Sequence, residues 1–320
     1  TVSYKEKVVS KVDKKILPYK RLFDIAANLC DEKFQGMYNG KKYHDDDTES
    51  VLQRAKEYNV KKMLFASGCV ADSHNSWKLA QKSSDYYITI GVHPCRASEA
   101  EAESKDNFTK YYQDVTSLIE KYKSKCIAVG ECGLDYDRFH YSPKEDQLKH
   151  FPIHFDIAKE TGLPMYLHNR NTGGDFVRIV RENRHKFSSG VVHSFTDGLE
   201  EMKACLDLGL YIGVNGCSLK TKENMEVVKN IPLDRIMLET DAPYCDIKQT
   251  HDSFSFVETQ FARIKKEKMK PGLMAKERNE PCMIVQVLEV VSKLLNVSKE
   301  ELAEASYKNT LKLFNLKEDE

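Results

Sequence analysis

Cys126-Ile127-Ala128-Val129-Gly130-Glu131-Cys132-Gly133-Leu134-Asp135 decides how the chain folds: a short apolar run reaches a glycine, and a carboxylate follows at once. The same order of events recurs along the sequence. Tyr87–Val92 runs into His93-Pro94-Cys95-Arg96, Pro164–Leu167 into His168-Asn169-Arg170, Gly190–His193 into Ser194-Phe195, and Arg235–Glu239 into Thr240-Asp241-Ala242-Pro243. Leu22–Ala27, Lys62–Ala66 and Leu210–Val214 are further runs of this kind. Brief, nearly continuous apolar stretches are what parallel strands covered on both faces require. Amphipathic segments stand between them. Glu49–Tyr58 and Gln147–Lys159 carry apolar residues three or four apart, and Met283–Leu295 and Glu300–Leu313 close the chain. Asp197, ahead of Glu200 and Glu201, reads as the N-cap of a helix with an acidic first turn.

Strands alternating with helices build either a doubly wound sheet or a closed barrel. The polar residues choose between them, because in a barrel the functional side chains come from the C-terminal ends of several different strands. The expected architecture is therefore an α/β fold, a TIM (β/α)₈ barrel. Its catalytic domain is expected over residues 21–320, behind a basic N-terminal tail of residues 1–20. A barrel of this kind needs about 250 residues, and the chain is long enough to supply them.

Composition narrows the function less than the fold. With 41% hydrophobic and 31% charged residues the chain is of ordinary globular type. It has 49 basic and 49 acidic side chains, so any footprint for a polyanion must be local. Nine cysteines are scattered without a Cys-x-x-Cys pair, several of them inside apolar runs. That usage points to reduced thiols in an intracellular setting, cytoplasmic or nuclear. No apolar run approaches the roughly 18 residues of a membrane span. A monomer with no membrane partner is expected.

Chemistry gathers at the strand ends. Glu131, His168, His193 and Asp241 put two carboxylates and two imidazoles on one rim, a donor set suited to a divalent cation in an open catalytic site. His150 and His154 are also spaced for metal, but no glutamate adjoins His150 and Pro152 lies between them, so they read as packing residues. Positive charge accumulates after the last strand, from Arg263 through Lys265, Lys266 and Lys268 to Arg278. Arg278 precedes Pro281, which can open a helix whose N-terminus favours anions, and Arg170 can hold a phosphate through both guanidinium arms.

Taken in order, Glu131–Asp135, Leu167-His168, Val192–Phe195, Glu239–Pro243 and Arg278–Pro281 resemble the successive signatures of the TatD deoxyribonuclease family, within the metal-dependent amidohydrolase-like barrels. The likeness spans roughly Arg21 to Leu316, and Asp24–Leu29 with Phe34–Gly40 resembles the eukaryotic branch. The resemblance implies a magnesium-dependent nuclease acting on DNA, a 3′-to-5′ exonuclease or in some members an endonuclease. It also implies that Glu131, His168 and His193 ligate metal, that Asp241 ligates metal or takes a proton from the attacking water, and that His93 contacts the scissile phosphate. Many relatives carry a His-x-His pair at the end of the first strand, where this chain has Ala26 and Asn28, as the TatD branch does. Ala26 has no ligand atom and Asn28 only a neutral carbonyl oxygen. One tight metal site is expected, with a second, weaker site at Glu131 and Asp241 completed by substrate phosphate. Fewer nitrogen ligands shift preference from zinc toward magnesium or manganese. The expected substrate contacts are His93, Arg170, Arg278 and Asn28, and the expected partner is DNA as single strands or ends, with RNA as a further substrate. The alternative is an amide or ester hydrolase using the same metal-water device.

Overall fold

In a computed structural model, which describes residues 17–105 and 107–318, eight parallel strands follow one another round a single sheet in chain order. They are β1 (Leu22–Asp24), β2 (Val60–Phe65), β3 (Tyr86–Ile90), β4 (Cys126–Asp135), β5 (Met165–Arg170), β6 (Gly190–His193), β7 (Tyr211–Val214) and β8 (Ile236–Leu238). The first and last strands meet just beyond their ends, where Ala27 and Ala242 form a parallel bridge. Asp241 N–H donates to Ala26 O at 2.8 Å and Asn28 N–H to Ala242 O at 2.7 Å. The sheet is thus a (β/α)₈ barrel. Most of the expected tail, residues 1–16, lies outside the described residues; Tyr19 already packs into the core.

Side chains sort by strand parity. Phe23, Leu64, Ala128, Tyr166, Val191, Tyr211 and Met237 form one buried cluster, while Met63, Phe65, Val129, Met165, Leu167, Val192, Ile212, Ile236 and Leu238 belong to another with the surrounding helices. Alternation with period two makes the first set the barrel interior and the second its outer wall. Tyr307 and Leu311 of the last helix, Lys299–Leu313, join the interior cluster. Burying each such aliphatic side chain contributes roughly 1.5–3 kcal/mol, so the interior is a packed core and not a pore.

Two local expectations are corrected. The amphipathic stretch Gln147–Lys159 is two helices, Lys144–His150 and Ile153–Thr161, because Pro152 lacks the N–H that would continue the first. Asp197 does not cap its helix. Gly198 occupies the N-cap of Leu199–Asp207, and the Asp197 carboxylate accepts the Asn171 N–H at 2.9 Å instead.

The seam beneath the rim holds a buried acid. Asp24 accepts Thr240 N–H at 2.9 Å, Thr240 Oγ1–H at 2.5 Å and Ala26 N–H at 3.2 Å. Burial pushes its carboxyl up to about 8 in spite of those hydrogen bonds, and the nearby charge of Glu239 adds to the rise. A folded pKa above the unfolded value of about 4 means that the proton is held more tightly when folded. The stability this group contributes is fully present below about pH 4 and is lost as pH rises through about 8. Asp24→Asn keeps the shape without the charge, and the Thr240 hydroxyl can turn to Ala26 O, 3.3 Å away. Its melting temperature should pull ahead of wild type as pH rises from 5 to 8, at up to about 1.4 kcal/mol per pH unit. Parallel melting curves across that range would contradict the assignment.

Candidate active site

Glu131 faces inward because β4 carries one residue too many. Val129 pairs with Met165 and Cys132 with Leu167, three steps against two, and the bulge resets the alternation so that Glu131 lies on the interior face. Both flanking glycines are required. Gly130 has φ +142° and a Cβ there would stand 2.1 Å from Tyr166 O; Gly133 has φ +151° and a Cβ would stand 1.9 Å from His168 O. Only glycine tolerates both the torsion and the approach. His168 and His193 need no such device, since each lies two residues beyond an interior side chain of its own strand, Tyr166 and Val191.

Three imidazoles converge on one carboxylate oxygen. Glu131 Oε1 lies 2.6 Å from His193 Nε2, 3.0 Å from His168 Nδ1 and 3.2 Å from His93 Nε2. Burial alone would raise the Glu131 carboxyl, but the charges of His193 and His93 and the hydrogen bonds from His168 and His193 outweigh it and hold it well below the usual carboxylate range. The imidazoles move the other way. Burial works against protonation of His193, yet Glu131 and Glu239 raise it well above the ordinary histidine value, and Asp135 with Glu131 raises His168.

Second carboxylates stand behind two of the rings. Asp135 Oδ2 lies 3.1 Å from His168 Nε2, and Glu239 Oε1 lies 3.6 Å from His193 Nδ1. Glu239 is itself held by Ser194 N–H and Asn215 Nδ2, each at 2.8 Å. Asp135 so placed favours a hydrogen on the His168 nitrogen that faces it and a lone pair on the one that faces Glu131, the arrangement of a metal-binding histidine. Glu239 stands on the same side of His193 at the longer distance. His193 Nδ1 and Glu239 Oε2, on the side of the ring away from Glu131, are both buried without a hydrogen-bond partner. Glu131 and the imidazoles round it fit a divalent cation, which would replace the protonic charge now massed there. His93, Glu131 and His168 offer ligand atoms all within 4.8 Å of one another. His93 differs in one respect. Its Nδ1 accepts the Cys95 N–H at 3.0 Å, and a neutral imidazole with Nδ1 as acceptor must carry its hydrogen on Nε2. His93 therefore presents a donor to the cleft, whereas His168 is backed to present a lone pair.

Asp241 stands on the same rim. Asn28 Nδ2 donates to its Oδ1 at 2.9 Å and the Cys245 thiol to its Oδ2 at 3.3 Å; Cys217 Sγ lies 2.8 Å beyond, against Cys245 Sγ. Burial raises its carboxyl to about 6, with the charges of Glu239 and Glu131 adding to the rise and His193 opposing it. Asn28, His93, Glu131, His168, His193 and Asp241 all line one cavity of about 450 Å³. A wider adjoining chamber of about 950 Å³ shares His93, His168 and Asp241 with it and adds Arg170.

The substrate contacts expected from sequence fare unevenly. Arg170 faces the wider chamber, although its Nε already pairs with Asp137 at 3.0 Å. Arg278 is a correction. Its side chain is 0% exposed, bound to both oxygens of Asp47, to Glu280 at 3.0 Å and to Lys33 O at 3.1 Å, so its guanidinium is committed inside the protein and turned away from any phosphate. Lys265, Lys266 and Lys268 line neither chamber, and Lys266 lies over the rings of Tyr38 and Tyr43. Sequence reasoning left Asp135 and Glu239 without roles. Both were findable: Asp135 ends the strand that carries Glu131, and Glu239 falls two residues after the interior Met237.

The chain and its fold have known relatives. The TatD related DNase family matches residues 23–315. The chain is 41% identical over 300 residues to the deoxyribonuclease Tat-D of Schizosaccharomyces pombe, covering 92% of this chain and 96% of that one. It is 31% identical to the 3′-5′ ssDNA/RNA exonuclease TatD of Pantoea ananatis, covering 92% and 100%. The crystal structure of a hydrolase TatD family protein from Entamoeba histolytica superposes with a TM-score of 0.86 at 34% identity, covering 92% of this chain and 98% of that one. With nearly its whole length accounted for, and with the strand-end carboxylates and imidazoles assembled on one rim, the chain belongs to the TatD-related DNase family.

Proposed function

We propose that this chain is a divalent-metal-dependent nuclease that hydrolyses phosphodiester bonds of DNA, with Mg²⁺ as its working metal and the 3′ end of a single strand as its preferred substrate. The observation that carries the reading is Glu131 Oε1 ringed by three imidazole nitrogens at 2.6–3.2 Å in an open cleft that Asp241 also lines. The names of its relatives, a deoxyribonuclease and a 3′-5′ ssDNA/RNA exonuclease, support the substrate class. Glu131, His168 and His193 would hold the tighter cation, and Glu131 with Asp241 would offer ligands for a weaker one that needs substrate phosphate. A bound divalent cation neutralises phosphoryl charge and makes water acidic enough to attack at neutral pH.

The chain's own groups do the rest. Asp241, oriented by Asn28 and Cys245, takes the proton of the attacking water. His93 donates its Nε2 hydrogen to a phosphate oxygen, where negative charge grows as the water adds. Losing one such donor lowers turnover by roughly 10²–10³-fold. His93→Ala should show that loss in kcat while its affinity for Mn²⁺ stays within a few fold of wild type. A collapse of metal affinity in the same variant would move His93 into the ligand set.

The decisive assay digests 5′-labelled single- and double-stranded oligonucleotides with Mg²⁺, Mn²⁺ or EDTA. A ladder of shortening single strands that needs metal is expected. Discrete internal fragments would make the enzyme an endonuclease, and no cleavage with either metal would remove the nuclease reading.

A further inference from the structure

Four large hydrophobic side chains stand exposed among the described residues: Phe139 at 44%, Tyr141 at 57%, Tyr244 at 45% and Leu273 at 37%. Single exposed apolar residues are common and need no explanation. Here two of the four come together from different loops, Tyr141 after β4 and Tyr244 after β8. Tyr141 and Tyr244 line the wider chamber, the one that reaches His93, His168 and Asp241. The two rings differ in what holds them. Tyr141 leans on His140 with centroids 4.2 Å apart; Tyr244 donates its hydroxyl to Asp31 and has Lys33 Nζ 4.4 Å from its centroid.

The same chamber holds uncommitted positive charge. Among the described residues, the side chains of Arg138 and Lys220 make no hydrogen bond or ion pair, in contrast to Arg170 on Asp137 and to Arg278 in its buried cluster. Two of the carboxylates lining the chamber are already answered, Asp135 by His168 at 3.1 Å and Asp137 by Arg170 at 3.0 Å. Exposed aromatic rings, beside unpaired cations and leading to the hydrolytic groups, match a polyanion whose bases have free faces. A duplex does not offer that, because its bases already stack on one another.

We propose that the wider chamber is a strand-binding subsite in which Tyr141 and Tyr244 stack unpaired nucleobases while Arg138 and Lys220 hold the flanking phosphates. This rests on the nuclease reading above and names what that reading leaves open, namely which residues make the site prefer single strands. Aromatic stacking of this kind changes affinity by about 5- to 100-fold per base and tolerates any base, since every base has a π face.

The test compares wild type, Tyr141→Ala and Tyr141→Phe, each as the full chain with Mg²⁺, on a single-stranded oligonucleotide and on the same oligonucleotide with abasic residues near its 3′ end. The KM penalty of Tyr141→Ala should be larger by about 5- to 100-fold on the intact strand than on the abasic one, and Tyr141→Phe should restore the wild-type value. Arg138→Ala with Lys220→Ala should weaken both strands alike and flatten the salt dependence of binding. Equal penalties for Tyr141→Ala on the two strands, or none on either, would overturn the stacking role. Should wild type cleave neither, the nuclease reading falls, and the subsite is judged by fluorescence. A 2-aminopurine base in a single strand should be quenched by wild type and Tyr141→Phe but not by Tyr141→Ala combined with Tyr244→Ala; equal quenching by all three would overturn it.

Discussion

Glu131→Gln is expected to remove most of the divalent-metal affinity and, with it, nearly all hydrolysis, while the protein stays folded. One oxygen of this side chain meets nitrogens of His193, His168 and His93, so a single atom organises the whole donor set. An amide keeps the shape but carries no charge, and in one of its two orientations it turns a donor toward the imidazoles. The loss in metal affinity should exceed the roughly 10–100-fold typical of residues that only orient a ligand. Asp135→Asn and Glu239→Gln, which stand behind His168 and His193, should fall within that smaller range. Folding should survive because the packed interior, from Phe23 to Met237, lies below the rim and does not use Glu131. Calorimetric titration with Mn²⁺ measures the affinity, and a thermal melt checks the fold. An affinity within a few fold of wild type would remove Glu131 from the centre of the site.

What the sequence discloses about this site, and what it hides, follow from the range of the forces involved. His168 and His193 are legible because a strand repeats every two residues, and each falls two after an apolar side chain that must face the core. Glu131 is legible as a strand-end carboxylate, but not its direction. That depends on a bulge whose only local sign is the pair Gly130 and Gly133, and strict alternation from Ala128 would point Glu131 outward. His93 is visible as a strand-end histidine, whereas its role is set by one backbone N–H, that of Cys95, which fixes the proton on the other nitrogen. Arg278 defeats the reading altogether. Its match to a family motif and its place before Pro281 suggest an anion site, while the carboxylate that takes both guanidinium arms comes from far along the chain, Asp47 from 231 positions away.

Arg278→Ala is accordingly expected to damage the fold and to leave strand binding alone. The guanidinium is fully buried, pairs with both Asp47 and Glu280, and lies 4.9 Å from the centre of the Phe34 ring. Arg54 shares the cluster, at 2.7 Å from Glu280 and 3.7 Å from Asp47, so one cation would remain for the buried Glu280 and the partly buried Asp47. Removing one partner from a buried pair costs about 3–5 kcal/mol because the other charge is left uncompensated. At roughly 2–4 °C per kcal/mol, the melting temperature should fall by about 6–20 °C. Arg278→Lys should recover little of it, since an ammonium has no planar fork to serve Asp47 and Glu280 together. Binding gives the opposite signature to the one a phosphate contact would leave. A lost phosphate contact lowers the slope of log affinity against log salt by about 0.7–0.9, and Arg278→Ala, measured below its melting point, should leave that slope where it is. The outcome that reverses the assignment is a variant that melts like wild type and binds single strands with a shallower salt dependence. Arg278 would then face the substrate, and the burial that ties Phe34, Asp47 and Glu280 into one cluster would have to rest on Arg54 alone.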